Sequence, residues 1–107
     1  MALTFEEYSQ KASTTAVYEP SLAVEYTTLG LCSEAGELAG KVKRKMRGDK
    51  KEISKEDALL EIGDCLWYLS ECAKAFDSDL ETVAKMNIEK LSKRKIAGTI
   101  RGEGDHR

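Results

Sequence analysis

Four carboxylates stand where the chain otherwise carries no charge. Between Tyr26 and Gly40 the charged side chains are Glu34 and Glu37 alone, and between Ala58 and Ser70 they are Glu61 and Asp64 alone. Each pair is spaced i, i+3, so on a helix both members share one face. Two carboxylates ~6 Å apart repel by roughly 3 kcal/mol at an effective dielectric of ~20, and two facing pairs add cross-terms. Partial protonation, salt bridges or a bound cation would relieve that repulsion. Neither stretch contains a Lys or Arg of its own, which points to a hard cation held by oxygen donors, Mg²⁺ or Mn²⁺. The plain alternative is a set of exposed acids on two amphipathic helices. A di-iron bundle fits poorly, because it wants Glu-x-x-His on two helices and here the second members are Glu37 and Asp64.

Magnesium held by few protein ligands takes phosphate oxygens from a substrate. It neutralises their charge and lowers the pKa of water, and a carboxylate at the edge can receive the proton. The chemistry this suggests is phosphoryl or nucleotidyl hydrolysis. No GxxxxGK[ST] occurs, so the chain is not a P-loop enzyme. The single histidine, His106, excludes or handicaps Ser-His-Asp, Cys-His and multi-histidine metal sites. Seventeen basic against nineteen acidic side chains leave a net charge of -2, with no general push toward a nucleic-acid polymer or an anionic membrane. The longest uncharged run, Tyr26 to Ser33, is too short to span a bilayer. No apolar leader opens the chain, and three cysteines (Cys32, Cys65, Cys72) without CxxC spacing suggest reduced thiols in the cytoplasm.

The elements that must position these acids are helices. At 107 residues the chain has length for one domain. Thr4-x-x-Glu7, Ser54-x-x-Asp57 and Ser78-x-x-Glu81 read as helix starts, Glu19-Pro20-Ser21 as another, and Gly48 and Gly98 as stops. The reading is an all-α bundle of about four helices, near 4–16, 20–46, 54–76 and 79–96, with residues 98–107 a glycine-rich tail on a 1–97 domain. In the third helix Leu59, Ile62, Leu66, Leu69, Ala73 and Phe76 are spaced 3-4-3-4-3, a packing seam, while Leu60 and Trp67 lie on another face. A helix apolar on several sides should be central, and so short a chain can cover only part of it. The expectation is that a homo-oligomer, a dimer at least, completes the bundle; the alternative is that the first and last helices cover both faces.

The acid pairs carry a resemblance. Glu34-x-x-Glu37, then Glu61-x-x-Asp64 after a 23-residue gap, resembles the ExxE…ExxD signature of the MazG-like all-α nucleoside triphosphate pyrophosphohydrolases. So do Leu29-Gly-Leu-Cys-Ser-Glu-Ala-Gly-Glu-Leu, Glu61-Ile-Gly-Asp-Cys-Leu-Trp-Tyr, Asn87-Ile-Glu-Lys-Leu-Ser-Lys-Arg and the Gly-x-Gly-Asp-x-Arg ending. The resemblance implies a dimer or dimer of dimers that splits a nucleoside triphosphate into monophosphate and pyrophosphate. It implies Mg²⁺ on Glu34, Glu37, Glu61 and Asp64, with Glu37 activating water, Glu61 essential to turnover, and Tyr68 near the nucleotide.

Further candidates have two readings each. Lys41 continues the Glu34–Glu37 face and suits a phosphate or a carboxylate. Asn87 falls on the apolar stripe of the fourth helix with Leu80, Val83 and Leu91, so it either caps a neighbouring helix or reads the nucleotide. Lys90 and Arg94 meet phosphates or are surface charge. Tyr26 and Trp67 read as packing rather than base stacking. The basic run Lys41–Lys51 is a solvated helix end or a positive rim to an acidic site, and the tail, with Arg101, Asp105 and Arg107, folds over the site or frays. The non-catalytic alternative is a helical module that senses a nucleotide or metal, or binds a partner.

Overall fold

The computed structural model describes residues 2–49 and 53–105. Lys50, Lys51, Glu52, His106 and Arg107, which the charge and tail readings include, lie outside the described residues. The described chain is all-α: α1 (Phe5–Ser13), α2 (Ala23–Arg47), α3 (Lys55–Ala75) and α4 (Leu80–Ala97), with a 3-10 turn at Pro20–Leu22 leading into α2.

Local chemistry explains the boundaries. Thr4 and Glu7 close a capping box on α1, and Ser54 caps α3 by accepting from the Asp57 amide. For α4 the expected Ser78 gives way to Asp79, whose carboxylate accepts from the Thr82 amide at 2.7 Å. A charged acceptor at the positive end of a helix is the stronger cap, and the amide holds the Asp79 carboxyl below its usual range. Gly48 and Gly98 both end helices at positive φ, each followed by an amide that reaches back to the carbonyl of Arg44 or Arg94.

α3 is central, as its pattern requires: among the described residues it alone packs against α1, α2 and α4. The interior of one protomer is nevertheless small. Ala73 and Leu80 are the buried hydrophobic residues among those described, and Thr27, Ser70, Glu71 and Arg94 are buried beside them. Thr27 returns its hydroxyl to the Ala23 carbonyl, and Ser70 meets Ser9 across the α1–α3 contact at 2.8 Å. The seam on α3 is only partly buried: Ala73 is covered and Leu66 half-buried, but Leu59, Ile62 and Leu69 are exposed, Phe76 is 65% exposed, and Leu60 on the other face is 61% exposed. The fourth-helix stripe behaves alike. Leu80 at its start is buried, but Val83, Asn87 and Leu91 are exposed, so the buried amide expected at Asn87 is not found. The reason is geometric, since a nine-residue α1 cannot shield a twenty-one-residue α3. No described helix is long and apolar enough to cross a membrane.

Candidate active site

The site is built on the antiparallel pair α2 and α3. On α2 the residues Gly30, Glu34, Glu37 and Lys41 follow one another by four, three and four, and on α3 the series Asp57, Glu61, Asp64, Tyr68 and Glu71 has the same rhythm, so each series forms one face. The faces meet closely because of Gly30: a Cβ built there would lie 2.0 Å from Cε1 of the Tyr68 ring. Only a residue without a side chain lets that ring sit against the α2 backbone.

One turn further, Glu34, Glu61 and Asp64 bring carboxylate oxygens within 4.8 Å of one another. Glu34 and Glu61 are half-buried and Asp64 is exposed. Burial, then the charges of Asp64, Glu61 and Glu37, push the Glu34 carboxyl above the usual range. The Cys65 thiol is raised by burial and then by Glu34, Asp64 and Glu61. Lys41 donates to Glu61 Oε1 at 3.1 Å, and this hydrogen bond holds the ammonium pKa up. Glu61 is thus not without a neutralising base, contrary to what the uncharged stretches suggest: Lys41, just outside the α2 stretch, reaches across to it. The other oxygen, Oε2, is buried and has no hydrogen-bond partner. Three oxygen donors with one orphaned atom fit a hard divalent cation.

Beside the acids lies an open cleft of about 360 Å³, lined by Tyr18, Tyr26, Trp67 and Tyr68 together with Thr15, Val17, Glu34 and Asp64. Such a volume falls among small-molecule sites, roughly 300–1,000 Å³. Tyr18 stacks on Tyr26 with centroids 4.9 Å apart, and Trp67 stands edge-on to Tyr68, also at 4.9 Å. The Trp67 ring is fixed by its Nε1–H, which donates to the Ala12 carbonyl at 3.1 Å and Thr15 Oγ1 at 2.9 Å. A neighbouring hydroxyl from Tyr26, then burial, push the Tyr68 phenol up to about 12. A groove of about 370 Å³ between α1 and the start of α4 contains none of the clustered acids; the cleft at the carboxylates is the candidate.

The structure thus brings together Glu34, Glu61, Asp64, Lys41 and Tyr68, with Tyr26 and Trp67 on the same cleft. Glu37 is exposed and outside the three-oxygen cluster, but close enough to raise both Glu34 and Lys41. Asn87, Lys90 and Arg94 do not line the cleft. Lys90 instead donates to Asp105 at 2.9 Å, and Arg94, only 6% exposed, donates to Asp105 and to the Gly104 carbonyl, each at 3.2 Å. Arg94 is therefore not surface charge, and the described tail folds back on α4, where Lys90 and then Arg94 hold the Asp105 carboxyl below its usual range. Sequence reasoning missed Tyr18, Gly30 and Glu71. Gly30 had a signal, a helix-weakening residue four before Glu34; Glu71 continues the Asp57, Glu61, Asp64 and Tyr68 face by three more residues.

The MazG nucleotide pyrophosphohydrolase domain is the family that matches, over residues 23–97. The chain is 39% identical to the "Gene 37 protein" of Mycobacterium phage L5 over 109 residues, covering 94% of this chain and 96% of that one. No solved structure gives a significant match.

Proposed function

This chain belongs to the MazG nucleotide pyrophosphohydrolase family, and we propose that it hydrolyses (deoxy)nucleoside triphosphates to monophosphate and pyrophosphate, as nucleotide-pool house-cleaning. The observation that carries the reading is the convergence of Glu34, Glu61 and Asp64, with the orphaned Glu61 Oε2, at the mouth of an aromatic cleft. Glu34, Glu61 and Asp64, joined by the nearby Glu37, would hold Mg²⁺, or Mn²⁺ in its place. When bound, the ion supplies charge neutralisation at the phosphates and a more acidic water. Glu37, exposed near the cluster, would receive the proton of the attacking water. Water oxygen bonds to phosphorus as the α–β anhydride breaks and pyrophosphate leaves. Lys41 offers its ammonium to the phosphates, and Tyr68 with the other rings takes the base.

Asn87 and Lys90 complete the proposed substrate contacts only in an assembly where α4 of one protomer reaches the cleft of another, and Arg94 joins them only if it leaves Asp105 and Gly104. The exposed seam on α3 supports such a homodimer or homotetramer. In this reading residues 1–97 form the catalytic domain and 98–107 the tail, and the free thiols of Cys32, Cys65 and Cys72 suit the cytoplasm. The test is incubation with a panel of triphosphates and Mg²⁺. Release of monophosphate with pyrophosphate, abolished by chelation, is expected. Nucleotide binding without pyrophosphate release would establish the sensing module instead, and inorganic phosphate with diphosphate would mean that another bond breaks.

A further inference from the structure

Among the described residues, the most deeply buried ionisable side chain lies outside the clustered acids. Glu71 is 2% exposed. It lies on the α3 stripe that carries Asp64, Trp67 and Tyr68, at i, i+3, i+4 and i+7. Its Oε1 accepts from the Tyr18 hydroxyl at 2.8 Å and its Oε2 from Ser13 Oγ at 2.7 Å. Lys74 stands 4.0 Å from Oε2 and donates to the same Ser13 Oγ at 2.5 Å. A carboxylate is a costly way to join α1 to α3, because a charge taken out of water loses more than an apolar contact would. What it provides that an apolar residue could not is a fixed acceptor for one phenol.

That phenol belongs to a wall of the cleft. Tyr18 lies between α1 and α2, in no helix. Its ring is stacked on Tyr26 and meets Trp67 edge-on with centroids 6.4 Å apart. Trp67 holds the start of the same segment through Ala12 and Thr15. The segment is thus tied to α3 at both ends, by two residues of one helical stripe, and that stripe also carries Asp64. Burial and the bond to Glu71 push the Tyr18 hydroxyl up to about 12, so it remains a donor.

We propose that Glu71 is a positioning residue for substrate selection: by holding the Tyr18 hydroxyl it fixes one wall of the aromatic cleft and so sets how a planar base is gripped beside Glu34 and Asp64. This rests on the nucleotide reading given above. Glu71 itself touches no substrate.

The test compares Tyr18→Phe, Glu71→Gln and Ser13→Ala with the wild type, after circular dichroism has shown which variants keep their helices. Tyr18→Phe removes one oxygen and keeps the ring, so it covers the case in which Glu71→Gln fails to fold. For purine and pyrimidine triphosphates, Tyr18→Phe and Glu71→Gln are expected to raise KM roughly five- to tenfold. They should leave kcat within about twofold and narrow the preference among bases. Inhibition by pyrophosphate, which has no base, should not change. Ser13→Ala, which leaves the Tyr18 bond in place, should lower the melting temperature without moving base preference. The proposal is overturned if folded Tyr18→Phe keeps the wild-type KM and preference. It is equally overturned if pyrophosphate inhibition weakens by the same factor as KM, or if Ser13→Ala shifts preference as much as the others. Trp67, the single tryptophan, separates this from failure of the catalytic reading. If the wild type releases no pyrophosphate, Trp67 quenching by nucleoside monophosphates still reads the cleft. Loss of that quenching affinity in Tyr18→Phe then supports the role of Glu71, and equal affinity overturns it.

Discussion

α3 has two faces with opposite fates. The face that carries Glu61, Asp64, Trp67, Tyr68 and Glu71 finds its partners within the protomer: an ammonium from α2, a glycine that admits a ring, hydroxyls from α1 and the segment after it. The face that carries Leu59, Ile62, Leu69 and Phe76 is left in solvent. Ser70 and Glu71 are buried while large apolar side chains of the same helix are exposed, the reverse of an ordinary small domain. Groups that need a specific partner find it within the chain, whereas much of the apolar face of α3 stays exposed.

Substitutions on the two faces should have separable effects. Glu61→Gln removes a charged donor from the acidic cluster, and turnover should fall by at least about a hundredfold, while sedimentation stays that of the wild type. Ile62→Arg, one residue on, should shift sedimentation to that of an 11.9 kDa monomer; an unchanged profile would mean that the exposed seam is no interface. Gly30→Ala forces a methyl group into the Tyr68 ring and should cost about 1–3 kcal/mol, read as a lower melting temperature and a disturbed Trp67 signal.

Two smaller effects sharpen the account of the site face. Lys41→Met frees Glu61 from its internal cation and should tighten Mn²⁺ binding roughly two- to fivefold by calorimetry, while weakening triphosphate binding. Equal or weaker Mn²⁺ binding would contradict the view that Lys41 competes for Glu61. The raised carboxyl of Glu34 has a pH signature. Because its folded pKa lies above the unfolded value, the metal-free fold binds the extra proton. Its stability should fall as pH rises from the ordinary glutamate range through the raised pKa. Saturating Mg²⁺ should flatten that slope in thermal melts, and a slope unaffected by the ion would argue against Glu34 as a ligand.

Much of this architecture was legible in the chain. Capping residues and glycine stops placed the four helices to within a few residues, because those signals act locally. The acid pairs were legible because an isolated charge in an apolar stretch has few explanations. What escaped depends on distance across the fold. That Lys41 reaches Glu61, that Gly30 faces Tyr68, and that Tyr18 and Ser13 meet Glu71 are facts of register between helices, and helical periodicity within one element is silent on them. The preference for Asp79 over Ser78 was a contest between two good caps one residue apart. The burial of Asn87 was misjudged because an apolar stripe was equated with burial, and past the buried Leu80 this stripe is exposed.

The matched rhythm of the two faces also determines which changes of length the protein can survive. Gly30, Glu34 and Lys41 on α2 meet Tyr68, Asp64 and Glu61 on α3 only while both helices keep an unbroken turn. One residue inserted between Glu34 and Lys41 would rotate everything beyond it by ~100°, swinging Lys41 away from Glu61 while the acid cluster kept its place. An insertion of seven, close to two full turns, would restore the heading and leave the ammonium about 10 Å too far along the axis. Indels within α2 are therefore forbidden by angle or by reach, and viable length variation should concentrate outside the helix pair.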